Sequence, residues 1–224
     1  MRIVETLDNN VLQGSMNIVD QLIQRANQTQ RGFADIRKAA QEVVATHDPS
    51  DSLSIAAALF ATETHQARML ATFIFGAYAG TDESALNFLY MIVSRDPDWH
   101  VQEVLAKSFD RYCATVGYEQ ALPVIEAWLA DEYPTVRRAV TEGLRVWTSR
   151  SYFCDHPLVA VRLLDQLRDD ESEYVRKSVG NALRDIHKHH PDLVTNALEE
   201  WDCSDPRIAY THKLVNKVTR KTQG

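Results

Sequence analysis

Apolar residues recur at three- and four-residue intervals along most of the chain, the spacing that places them on one face of a helix. The segments VLQGSMNIVDQLIQRA, FADIRKAAQEVVAT, LSIAAALFATET, QARMLATFIFGAYA and ESALNFLYMIVS all show it. No stretch alternates as a half-buried strand would. Polar turn signals separate the segments: HDPSD at 47–51, GTDES at 80–84, RDPDW at 95–99, DEYP at 131–134, DDESE at 169–173 and SDP at 204–206. Asp, Pro and Gly at these points stop one helix and start the next. The pattern predicts an all-α protein.

Three of the turns introduce similar helices. RDPDWHVQEVLAKSF, ADEYPTVRRAVTEGL and RDDESEYVRKSVGNAL each set an acidic turn before a helix led by Val101, Val136 or Val175, spaced 35 and 39 residues apart. Each Val, the positions three or four further on, and the eighth (Phe109, Leu144, Leu183) make one buried stripe. EQALPVIEAWLA and HPLVAVRLLDQLR precede the second and third copies as partner helices. A period of about 40 residues with two helices per unit predicts a HEAT-like α-solenoid with a concave binding face. The expected organisation is one domain over 1–224: N-terminal helices or a cap over 1–64, core repeats over 65–201 and a C-terminal helix over 202–224.

Composition narrows the class. Apolar content of 45% and charged content of 25% are those of a soluble globular chain. No apolar run approaches the roughly 20 residues that span a bilayer. The opening MRIVETLDNNVLQG turns polar too early for a signal peptide. Cys113, Cys154 and Cys203 are odd in number and far apart, which predicts neither a disulfide framework nor a Cys-x-x-Cys metal site. A reduced, cytoplasmic protein without a membrane partner is expected. The net charge of −7 argues against nucleic acid, but its distribution softens the argument. Residues 1–100 carry 7 basic and 12 acidic side chains, whereas residues 174–224 carry 9 basic and 6 acidic. A local basic surface matters more for phosphate than the global sum.

Several chemistries are missing. There is no Gly-x-Gly-x-x-Gly and no Walker loop. HKHH at 187–190 lies at a helix end beside Pro191, where histidines serve terminal carbonyls and the helix dipole rather than a metal. What remains is carboxylates, tryptophans and arginines on the second helix of each pair. Trp99 and Glu103, four residues apart, share a helix face. Arg138 and Lys177 hold the register of Glu103 in the next two copies. Asp185 lies ten residues after Val175, and Trp147 sits in EGLRVWTSRSYF with Arg145 and Arg150. A plainer reading has Trp99 and Trp147 filling gaps between helix layers and Glu103 pairing with Lys107.

HQARMLATFIFGAYA, VRRAVTEGLR and SEYVRKSVGNALRDIHKHHPDLV resemble the HEAT-repeat alkylpurine DNA glycosylases, the AlkC/AlkD group, more closely its AlkC branch. The likeness is strongest over residues 65–201. It implies a DNA-binding alkylation-repair glycosylase that removes cationic purines of the 3-methyladenine or 7-methylguanine type. On that resemblance, Glu103 and Asp185 are the carboxylates, Trp99 the first aromatic and Trp147 the second, with Tyr152 or Phe153 as alternatives. Arg137, Arg138, Arg145, Arg150, Arg176 and Lys177 would hold the DNA backbone. The implied partner is duplex DNA with alkylated bases, bound by a monomer without metal or cofactor. The chain is expected to lack the immunoglobulin-like extension that some AlkC-type proteins carry. The rival reading is a non-catalytic helical-repeat scaffold for DNA or a protein, favoured by the acidic net charge and the altered stretch around Trp147.

Overall fold

In a computed structural model of the protein, residues 18–29 and 32–218 are described. All regular structure among them is helical, as the apolar spacing predicts. The first part of VLQGSMNIVDQLIQRA lies outside the described residues; its end forms α1 over 18–27. Two compact units follow one another, divided between Tyr112 and Cys113. This division falls inside the stretch expected to be one run of core repeats.

The N-terminal unit contains α1, α2 (Ala34–Thr46), α3 (Pro49–Phe60), α4 (His65–Tyr78), α5 (Glu83–Met91) and most of α6 (Trp99–Val116). The C-terminal unit contains α7 (Leu122–Leu129), α8 (Pro134–Gly143), α9 (Ser151–Asp155), α10 (Pro157–Asp165), α11 (Glu173–His187), α12 (Pro191–Glu199) and α13 (Pro206–Val215). Six of the seven prolines sit in a first helical turn, where a missing N–H costs nothing and the fixed φ suits the helix. Asp48, Asp82 and Asp205 add side-chain caps, accepting from the N–H groups of Asp51, Ser84 and Arg207 at 2.9, 2.8 and 2.7 Å.

The valine-led stripes are the core. Val101, Val104, Leu105 and Phe109 on α6 are fully buried, as are Val136, Val140 and Leu144 in the second copy and Val175 and Val179 in the third. Within the N-terminal unit α4 packs against α2, α3 and α5. Within the C-terminal unit α8 packs against α7 and α11, and α11 against α10, α12 and α13.

Neighbouring second helices approach closely where small residues face one another. Ser108 on α6 donates to the Thr72 carbonyl of α4 at 3.0 Å, and its side chain occupies the space beside Gly76. On α11, a Cβ at Gly180 would lie 2.6 Å from the Leu214 Cβ of α13. Gly180→Ala should therefore cost about 1 kcal/mol, because overpacking of roughly 2 kcal/mol outweighs the gain of about 1 kcal/mol in helix propensity. Urea denaturation followed by circular dichroism checks this; unchanged or raised stability would show that the two helices separate freely.

Candidate nucleic-acid interface

In the N-terminal unit, a tightly held turn projects Trp99. Asp96 is buried and receives the Arg68 guanidinium of α4, Nε to Oδ2 at 2.6 Å and Nη2 to Oδ1 at 3.3 Å. The same arginine reaches the carbonyls of Thr62 and Glu63 at 3.3 and 2.6 Å. Gln102 donates to the carbonyls of Val93 and Asp96 at 3.0 and 2.8 Å. Asp96 Oδ1 accepts from the Asp98 N–H at 2.9 Å, and Asp98 Oδ1 from the His100 N–H at 2.8 Å. Burial alone would raise the Asp98 carboxyl. The backbone and ring of His100 and the charge of His65 outweigh it and hold the group below its ordinary range.

On this frame Trp99 is 63% exposed, its indole stacked on His100 with ring centroids 3.6 Å apart. So exposed an indole leaves an aromatic face open to a partner. Glu103 is half-buried one turn further along α6. The proposal that Trp99 only fills a gap between layers fails on this exposure. A groove of about 520 Å³ between α2, α4 and α6 is lined by Arg37, Gln41, Phe73, Lys107, Ser108 and Arg111 among others. The three cations lie on exposed positions of α2 and α6, and no acid lines the groove. Sequence reasoning missed them. The signal was present in Lys107 and Arg111, four residues apart on one helix face.

In the C-terminal unit, the expected cations divide into two groups. Arg137 donates Nε and Nη2 to the Asp170 carboxylate at 2.6 and 2.8 Å, and Nη1 to the carbonyls of Asp131 and Glu132 at 2.6 and 3.0 Å. Arg176 repeats the pattern on the carbonyls of Asp170 and Glu171, and its guanidinium lies 5.5 Å from the Tyr210 ring centroid. Arg137 therefore holds a repeat turn, as Arg68 does, and its expected phosphate role is corrected, whereas Arg176 reaches its turn through Nη1. A guanidinium with its donors committed inside a turn has few left for phosphate.

The second group differs in exposure and pairing. Arg138 is half-buried. Arg145 is exposed, bonded to Glu142 at 3.1 Å. Arg150 reaches Ser149 Oγ at 2.5 Å and the Gly143 carbonyl at 3.3 Å. Lys177 is exposed and pairs with Glu173 at 2.7 Å; this bond holds the carboxyl low and the ammonium high.

Asp185 is not an isolated carboxylate. It is 17% exposed, 2.6 Å from Lys188 Nζ and 3.7 Å from Arg145 Nε. Glu142 first, then Asp185, strengthens the charge on Arg145, and Ser178 donates to Glu142 at 2.9 Å. Asp185 thus belongs to an ion-pair chain linking α8 and α11.

The expectation for Trp147 is corrected outright. Helix α8 stops at Gly143, and Trp147 falls in a 3-10 turn, Trp147–Ser149. Its indole is fully buried against Phe153, ring centroids 4.7 Å apart at 69°. Phe153 is itself fully buried, which leaves the half-buried Tyr152 as the accessible aromatic of this stretch. Cys113 is buried, Cys154 and Cys203 are exposed, and none is disulfide-bonded. No described helix is long and apolar enough to cross a membrane.

Paired helices, valine-led second helices and arginine-held turns place the chain in the all-α, HEAT-like α-solenoid class. A model of the DNA alkylation repair enzyme family matches residues 32–217, and the chain belongs to that family. The structure of AlkD2 from Streptococcus mutans is similar over 91% of this chain and 98% of its own, at 41% identity and a TM-score of 0.88. Alkylpurine DNA glycosylase AlkC of Pseudomonas fluorescens, bound to DNA containing an abasic site analog, matches 93% of this chain and 61% of its own at 22% identity and a TM-score of 0.68, a likeness of fold. Against the expected leaning to the AlkC branch, the AlkD2 structure is the more similar of these two. The uncharacterized protein YhaZ of Bacillus subtilis (strain 168) is 36% identical over 107 residues, 46% of this chain and only 30% of that relative's length.

Proposed function

We propose that the protein binds duplex DNA and excises cationic alkylated purines of the 3-methyladenine or 7-methylguanine type, acting as a cytoplasmic monomer. The observation that carries this reading is Trp99, held exposed by a rigid turn with Glu103 one turn along the same helix, in a member of this family. An N3- or N7-alkylated purine already bears positive charge. When its glycosidic bond breaks, the bond electrons go to the base, which leaves neutral and needs no general acid. Positive charge appears instead on the deoxyribose. The Glu103 carboxylate stabilises that charge and orients a water, whose oxygen bonds to the anomeric carbon and whose proton passes to the carboxylate or solvent. The Trp99 face adds a cation–π attraction of about 0.5–2 kcal/mol. Metal and cofactor take no part in this scheme.

Backbone phosphates would be held by Arg37, Lys107 and Arg111 in the N-terminal unit and by Arg138, Arg145, Arg150 and Lys177 in the C-terminal unit. Such contacts position the duplex without reading sequence, which suits a damage enzyme. Binding to undamaged duplex should weaken steeply with salt. The double variant Lys107→Ala/Arg111→Ala should lower the log–log salt slope by about 2, one per lost phosphate contact. Fluorescence anisotropy over a salt series measures this; a slope unchanged by the substitutions removes the groove from the interface.

A second reading is a non-catalytic DNA-binding scaffold. It is favoured by Asp185, already paired with Arg145 and Lys188, and by Trp147, buried in the core. Release of methylated bases from alkylated DNA by the purified protein separates the two. Salt-sensitive binding without release selects the scaffold.

A further inference from the structure

We propose that His65, Asp98 and His100 form a binding site for a divalent transition-metal ion such as Zn²⁺, with two imidazole nitrogens and one carboxylate oxygen as ligands. The site does not depend on the glycosylase reading. One ligand atom from each of the three residues lies within 4.8 Å of the other two. His100 Nδ1 is 2.9 Å from Asp98 Oδ1, and His65 Nδ1 is 3.8 Å from Asp98 Oδ2. The two imidazoles stack with centroids 4.8 Å apart and planes 17° from parallel. Zinc–nitrogen bonds of about 2.0–2.1 Å put tetrahedral ligands roughly 3.3 Å apart. Closing the widest gap therefore takes a movement of about 1.5 Å, within the reach of histidine side-chain rotation.

The frame around the trio is already built. The backbone N–H of His100 holds Asp98 Oδ1 at 2.8 Å, leaving Oδ2 on the side of His65. Asp96 holds the Asp98 backbone, and Arg68, one turn beyond His65 on α4, holds Asp96. Partners of this kind orient metal ligands and raise affinity.

The chain contains its own control. In the C-terminal unit Arg137 holds Asp170 as Arg68 holds Asp96. Asp170 Oδ1 accepts from the Ser172 N–H at 2.8 Å as Asp96 Oδ1 accepts from that of Asp98. In that frame Pro134, Ser172 and Tyr174 stand where this turn has His65, Asp98 and His100. The turn folds without the trio, so folding alone does not require two histidines and a carboxylate there. Two nitrogens and one oxygen suit zinc, cobalt or nickel, and three protein ligands leave a position open for water or an anion.

The test is calorimetric titration of Zn²⁺ into the full-length, tag-free protein, with Co²⁺ as a visible-absorption probe. One ion should bind per chain. His65→Ala and His100→Tyr should each weaken binding at least about tenfold, no less than loss of an outer-shell partner costs. His189→Ala/His190→Ala, which removes two histidines of the HKHH stretch, should bind as wild type. Bound Co²⁺ should quench part of the tryptophan emission through His100, which stacks on Trp99, and Trp99→Phe should remove that part. His100→Tyr and Asp98→Ser install the residues of the other turn and keep the test open if His65→Ala fails to fold. Absence of binding by wild type, binding that survives His100→Tyr and Asp98→Ser, or binding lost with His189 and His190 would overturn the proposal.

Discussion

Replacing Arg137 by alanine should destabilise the C-terminal unit by about 3–5 kcal/mol, the cost of breaking a buried ion pair by removing one partner. The Arg137 side chain is 12% exposed and that of Asp170 is 3% exposed, so solvent cannot replace the lost cation. Two turn carbonyls lose their donor in the same step. Only the Ser172 N–H would remain on Asp170 Oδ1. Arg137→Lys should recover part of the loss, because an ammonium cannot reproduce the planar fork that meets one carboxylate and two carbonyls. A fall in Tm of roughly 10 °C corresponds to this energy in a chain of this size. The comparison is Lys177→Ala, whose exposed ammonium pairs with the equally exposed Glu173, and which should melt near wild type and weaken DNA binding instead. If the two variants exchange behaviours, Arg137 is a phosphate ligand after all and the turn assignment is wrong.

Glu103→Gln should slow single-turnover release of 3-methyladenine or 7-methylguanine by about 10²–10³, the usual effect of removing one oriented electrostatic group. The amide keeps the shape of the side chain and deletes only its charge. Glu103 is half-buried on the polar side of α6, away from the fully buried stripe of Val101, Val104, Leu105 and Phe109. Release is therefore compared on wild type and variant matched for folded fraction by their melting curves. Asp185→Asn should cost less than about tenfold, because Lys188 and Arg145 already neutralise its charge and such a partly exposed pair is worth about 1 kcal/mol at most. Active wild type with an equally active Glu103→Gln would remove Glu103 from the chemistry. An inactive wild type that binds DNA would replace the enzyme with the scaffold.

Much of this molecule is legible one helix at a time. The spacing of Val101, Val104, Leu105 and Phe109 determined which face of α6 is buried, since a period of 3.6 residues leaves an apolar stripe only one direction to point. Prolines and aspartates determined where most helices begin, because caps act within a single turn. Trp99 and Glu103 were legible for the same reason: four residues of helix place them together whatever surrounds them. Long-range packing decided the rest. Arg137 and Arg138 are neighbours in sequence but lie about 100° apart around the helix. Only the fold brings Asp170, 33 residues on, to the first and not the second. Trp147 sits in a stretch that resembles a site aromatic's, yet α8 stops at Gly143 and the freed chain turns the indole into the core against Phe153. Asp185 meets Arg145 across two helices, and His65 meets Asp98 and His100 across more than thirty residues. No local period encodes these meetings. They follow from the stacking of helix pairs, which decides which charges neutralise one another.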